Sequence, residues 1–125
     1  MKNTSLSIFF PCYNDAGTIG SLVISAYEVA KSLTYDFEVI VIDDGSEDNS
    51  KDVLDSLLMI YNDLKIVYHE TNQGYGSVLK SGFKNSSKDF IFYTDGDGQY
   101  DVYELRNLYN VMKDDIDVVN GYKIE

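Results

Sequence analysis

The chain has 125 residues, 44% of them hydrophobic, and a formal net charge of −11. That length suits one domain with one core, and the acidic balance argues against nucleic-acid or anionic-membrane partners. Cys12 is the only cysteine, so a disulfide within the chain is excluded, which suits a reducing compartment.

In chain order, MKNTSLSIFF is too short and too weakly basic for a signal peptide. Its LSIFF (6–10) is a predicted strand, followed by PCYNDAGT. Residues 17–33 place Ile19, Leu22, Val23, Ala26, Tyr27, Ala30 and Leu33 at helical spacing. FEVIVI (37–42) is the second strand and runs into DDGSEDNS. A helix follows over 49–62, with Val53, Leu54, Leu57, Leu58 and Tyr61 on one face and Asp48 or Ser46 as its cap. LKIVYH (64–69), a helix over 76–84, and FIFYT (90–94) come next. The last elements are a helix over 102–113, capped by Asp101, and a strand at 116–121. The apolar runs lack alternation, as expected of parallel strands covered on both faces. The order β-α-β-α-β-α-β-α-β predicts an α/β fold, a doubly wound and mainly parallel sheet with helices on both faces. No apolar segment approaches the ~20 residues of a membrane helix. The expectation is a soluble cytoplasmic chain.

Ligands of such sheets bind beyond the carboxyl ends of the strands, and acids gather there. Asp95 and Asp97 lie two apart in TDGDGQYD, so in an extended segment both side chains share a face, with Gln99 alongside. Two carboxylates at ~4 Å repel by roughly 4 kcal/mol at an effective dielectric near 20. Protonation or a hard cation, Mg²⁺ or Mn²⁺, relieves that repulsion; a solvated turn is the other reading of the segment. The glutamate of an EF-hand loop is absent. Of Asp43 and Asp44, one can cap a turn or the following helix, while the other, at the mouth of the second strand, can accept from a nucleobase or a sugar hydroxyl. Gly74-x-Gly76 imitates a dinucleotide fingerprint, but Leu79 stands in place of its third glycine and the motif does not follow the first strand. No P-loop is present. His69, the only histidine, ends a strand and is read as structural. Arg106 is the only arginine. A diphosphate could therefore bind this acidic site only with a divalent cation to offset its charge.

Four segments, in order and at familiar spacings, resemble the family 2 glycosyltransferases of the GT-A fold. PCYNDAGTI is similar to that family's P-x-Y-N-E opening, and FEVIVIDDGSEDNS to its strand followed by D-D-G-S-x-D. NQGYGSVLKSGF is similar to N-x-G-[KY]-G-x-A, and TDGDGQYD to the D-x-D-x-Q metal motif. The resemblance implies that Pro11, Tyr13 and Asp15 line a nucleotide pocket, with Asp44 at the base and Asp95 near the donor. Asp97 and Gln99, with Asp95, would approach Mg²⁺ or Mn²⁺. It implies an inverting transfer from a UDP- or GDP-sugar. The D-x-D-x-Q form with Gly-Tyr-Gly is similar to the dolichyl- and polyprenyl-phosphate branch, whose acceptor is an already ionised lipid phosphate. A glycan acceptor for a cell-surface polysaccharide is the alternative.

Asp15, Tyr75, Ser77 and Ser87 depart from the family's usual Glu, Lys and alanines. The family's domains are longer, so residues 1–125 are expected to be one nucleotide-sugar-binding domain ending before the acceptor half. It could then bind a donor without turning it over. The catalytic base is unassigned, lying in that half or not needed. The expected setting is cytoplasmic, at the inner face of a membrane for the whole protein. An open sheet edge could also pair with a second copy. A receiver-like signalling domain is disfavoured, because the acids follow the second and fourth strands rather than the first and third.

Overall fold

The computed structural model describes residues 5–93. Seven elements alternate along them: β1 (Leu6–Cys12), α1 (Ile19–Leu33), β2 (Phe37–Asp44), α2 (Ser50–Ile60), β3 (Lys65–His69), α3 (Tyr75–Asn85) and β4 (Phe90–Tyr93). The strands form one parallel sheet in the order β3-β2-β1-β4. This is the expected α/β architecture. The expected helix over 102–113, the strand at 116–121 and the Asp101 cap lie outside the described residues.

Sheet order explains the burial of each strand. β1 and β2 are internal and almost wholly buried, whereas β3 is an edge with Lys65 exposed. An edge lysine discourages pairing with another chain. Side chains alternate across the sheet. On one face Leu6, Ile8, Phe10, Val39, Val41, Phe90 and Phe92 pack under the apolar stripes of α1 and α2. On the other, Phe9, Ile40 and Ile42 meet Val78 of α3. Gly82 lets α3 sit directly on β1, since a Cβ there would fall 2.2 Å from the Phe9 ring.

The amino ends of the strands are joined by one buried acid. Glu38 Oε2 accepts from Ser7 Oγ (2.6 Å), Ser87 N–H (2.7 Å) and Ser87 Oγ (3.0 Å), and Oε1 pairs with Lys65 Nζ at 2.6 Å. Burial alone would raise this carboxyl, but Lys65, Ser7 and Ser87 hold it down at about 2.

Candidate functional site

β2 and β3 extend from one side of β1 and β4 pairs on the other. The chain's direction across the sheet therefore reverses between β1 and β4. In open α/β sheets ligands bind beyond the strand ends at such a switch point. The loop after β1, residues 13–18, lies at that end of β1.

That loop is clamped to the one after β2. Asn14 takes a left-handed backbone, φ 54°, which asparagine tolerates better than most residues. Its Oδ1 accepts from the N–H groups of Glu47 (2.8 Å) and Asp48 (3.2 Å), and its own N–H donates to Ser46 Oγ (2.9 Å). Ser46 Oγ in turn donates to Asp43 Oδ1 at 2.6 Å, and Ser46 N–H reaches Asp43 Oδ2 at 3.3 Å. Asp43 is thus the member of the acidic pair that caps a turn. Asp48 accepts from Ala16 N–H (3.3 Å) and, at α2's start, from Ser50 N–H (2.9 Å) and Ser50 Oγ (2.5 Å). The Ser50 hydroxyl is the main cause of its lowered pKa. Neither cap expected for this helix is its N-cap, which is Asn49 and makes no side-chain cap bond. Asp48 reaches the first helical N–H from one residue further out, and Ser46 bonds to Asp43 and Asn14 instead.

Three sequence-predicted residues lie along the end of β1 and the clamped loop that follows it. Pro11 is half-buried in β1, opposite Ile42. Tyr13 is 42% exposed at the strand's mouth. Asp15 accepts weakly from Tyr13 N–H at 3.4 Å, and its carbonyl takes the N–H groups of Thr18 and Ile19 where α1 begins. Beneath them Cys12 is buried, and burial pushes its thiol up to about 11.

Asp44 is held differently. It is only 4% exposed. Oδ1 meets His69 Nδ1 (2.7 Å) and Gln73 N–H (3.0 Å), while Oδ2 accepts from Gly74 N–H (3.0 Å). Burial alone would raise this carboxyl, but the Gln73, His69 and Gly74 donors bring it below the ordinary value. Asp44 is therefore an ionised, acceptor-only group. A carboxylate has about four lone-pair sites, so one remains on Oδ2 among the described contacts. The loop after β3 reaches Asp44 by lying on Gly45, whose φ is +78°. A Cβ there would be 2.5 Å from Asn72 N and Thr71 C. Gly74, φ +96°, precedes α3. An internal carboxylate thus takes the N–H groups of Gln73 and Gly74, just ahead of α3.

Asp95, Asp97 and Gln99 lie outside the described residues. Among the described residues no group of three or more His, Cys, Asp or Glu side chains is placed to hold a metal. By chemistry the expected trio is two carboxylates and a carboxamide, hard oxygen donors that suit Mg²⁺ or Mn²⁺.

Sequence reasoning missed Asn14 and the pairing of His69 with Asp44 and Ser81. An asparagine beside a turn and a histidine ending a strand were the available signals, and their partners lie 12 to 34 positions away.

The family model described as "Glycosyl transferase family 2" matches residues 7–124. An undecaprenyl-phosphate 4-deoxy-4-formamido-L-arabinose transferase of Serratia proteamaculans is 32% identical over 115 residues, 91% of this chain and 35% of that protein. The chain thus spans about a third of this curated relative's length. Among solved structures, it resembles a mannosyltransferase from Pyrobaculum calidifontis in complex with GDP-Man and Mn²⁺. That match has a TM-score of 0.67 at 22% identity, over 82% of this chain and 30% of that one. Glucosyl-3-phosphoglycerate synthase from Mycobacterium tuberculosis, in complex with Mn²⁺, UDP and phosphoglyceric acid, matches with a TM-score of 0.59. Its identity is 24%, over 75% of this chain and 33% of that one. At these identities the structural likeness speaks to the fold alone.

Proposed function

The chain belongs to glycosyl transferase family 2, and we propose that it is the donor-nucleotide domain, residues 1–125, of an inverting glycosyltransferase. The proposed reaction moves a sugar from a UDP- or GDP-sugar to a polyprenyl phosphate. The acceptor's ionised phosphate oxygen attacks the anomeric carbon, the bond to the diphosphate breaks, and a nucleoside diphosphate leaves with the electron pair. An acceptor already ionised needs no strong general base.

The observation that carries this reading is the clamped pair of loops beside the β1/β4 switch, which brings Tyr13, Asp15 and Asp44 to neighbouring strand ends. Tyr13 offers an exposed ring against which a base can stack. Asp44 offers a fixed carboxylate oxygen to an N–H on that base. Pro11 and Asp15 complete the nucleotide side, and Asp95 lies toward the donor. Asp97 and Gln99, with Asp95, are proposed to hold Mg²⁺ or Mn²⁺. Such a cation, when bound, offsets the diphosphate charge and stabilises it as a leaving group. A chain at −11 has few cations of its own for that purpose.

The acceptor is suggested by the undecaprenyl-phosphate relative. A saccharide acceptor in a cell-envelope glycan is the second reading. Among the described residues no helix is long and apolar enough to cross a membrane. Work at the cytoplasmic face of a membrane is proposed for the whole protein.

The test is transfer of labelled sugar from UDP- and GDP-sugars to undecaprenyl phosphate in detergent. Transfer should need Mg²⁺ or Mn²⁺, and Asp97→Ala should abolish it. Undiminished transfer by Asp97→Ala, or transfer to saccharide alone, would refute the metal or the acceptor assignment respectively.

A further inference from the structure

His69 and Ser81 have no part in the roles proposed above, yet they touch the carboxylate at the centre of them. His69 is 8% exposed at the end of β3, with both ring nitrogens engaged. Nδ1 lies 2.7 Å from Asp44 Oδ1, and Nε2 lies 2.8 Å from Ser81 Oγ on α3. An ionised carboxylate has no proton to give, so Nδ1 carries the proton between them.

Aspartate, histidine and serine in this sequence of contacts make the pattern of a nucleophile relay. Ser81, however, sits inside α3 (Tyr75–Asn85), where the backbone N–H groups are taken by the helix itself. No pair of N–H groups is left there to bind an oxyanion, so the arrangement lacks the part that acyl transfer depends on. What the contacts do accomplish is orientation. His69 and Gln73 fill Oδ1, and among the described residues Gly74 alone binds Oδ2. The imidazole thus sets which carboxylate oxygen keeps a lone pair to offer.

We propose that His69, braced by Ser81, is a positioning residue for the donor nucleotide: it pins Asp44 Oδ1 so that Oδ2 meets an N–H donor of the base. Its second nitrogen ties the same carboxylate to α3. The base contact is thereby linked to the seating of a helix on the opposite side of the β3–α3 loop. This rests on the reading that Asp44 contacts the base.

Calorimetric titration with UDP, GDP and inorganic pyrophosphate, each with Mn²⁺, tests it. A hydrogen bond to a charged group sets the expected size, and His69→Ala should weaken nucleoside diphosphate binding about tenfold. Pyrophosphate affinity should stay unchanged, because it has no base to orient. His69→Asn, whose amide can stand where Nδ1–H stood, should recover most of the loss, and Ser81→Ala should show a smaller loss of the same base-dependent kind. Equal weakening of pyrophosphate, no recovery in His69→Asn, or wild-type nucleotide affinity in His69→Ala would each overturn the positioning role. Asp44→Asn separates this from its premise. If Asp44→Asn binds nucleotide like the wild type, the base contact itself is wrong. If it weakens binding while His69→Ala does not, only the role of His69 falls. Should His69→Ala not fold, the Asn and Ser81 variants carry the same comparison.

Discussion

Replacing Glu38 by Gln should destabilise the chain strongly at neutral pH and hardly at all in strong acid. Glu38 is 8% exposed and joins β1, β2, β3 and the segment before β4 through Ser7, Lys65 and Ser87. Lys65 is half-exposed, so its share is screened by water, and the serine donors supply the rest. The carboxyl falls from an ordinary 4.5 to about 2, a difference worth about 3 kcal/mol. The sign follows from the direction. A group whose pKa is lowered on folding stabilises fully above its unfolded value, and that stability fades as pH falls toward the folded one. Urea unfolding of both proteins at pH 7 should differ by about 3 kcal/mol, and the gap should shrink by about 1.4 kcal/mol near pH 3.5. Taking the difference between the two proteins cancels the other carboxylates. A gap that stays constant from neutral pH to about 3.5 would refute the reasoning, since it would mean that packing rather than charge holds Glu38 in place.

Gly45→Ala should cost about 2–4 kcal/mol in urea unfolding, because φ is +78° and the new Cβ meets backbone of Thr71 and Asn72. Nucleotide affinity should fall with it, and a neutral result would mean that the loop after β3 does not rest on this glycine. Asn14→Ala should cost about 1 kcal/mol, since water can reach the N–H groups of Glu47 and Asp48 that lose their acceptor. UDP or GDP titration should show a larger proportional loss, and unchanged affinity would separate the clamp from the site. Cys12, buried with its thiol pushed up to about 11, should resist a thiol reagent at pH 8 in the folded chain and react fully in urea. Rapid stoichiometric labelling of the folded chain would contradict its burial.

The described elements were legible because their apolar residues follow the period of the structure they form. Ile19, Leu22, Val23, Ala26, Tyr27, Ala30 and Leu33 mark the buried face of α1 by spacing alone. β1 ran further than its reading, to Cys12 rather than Phe10, because proline suggests a stop. The ladder with β2 continues through Pro11–Ile42 to Cys12–Asp43, so the proline is taken into the strand. Of the candidate site, Pro11, Tyr13, Asp15 and Asp44 were legible as residues placed at strand ends. Their internal partners were not, since Asn14 with Asp48, and His69 with Ser81, meet only once the sheet has formed. The acidic pair illustrates the limit. The sequence allowed one aspartate to cap a turn or the next helix, and only the contacts to Ser46 assign the turn to Asp43.

The central claim is a nucleotide site that depends on a divalent cation to hold a diphosphate in an acidic chain. Calorimetric titration of the chain with UDP- and GDP-sugars, in Mn²⁺ and again in chelator, tests it most directly. The account predicts binding of one of these donors with Mn²⁺, a large loss of affinity with chelator, and no response to Mn²⁺ in Asp97→Ala. Equal affinity with and without chelator would contradict it.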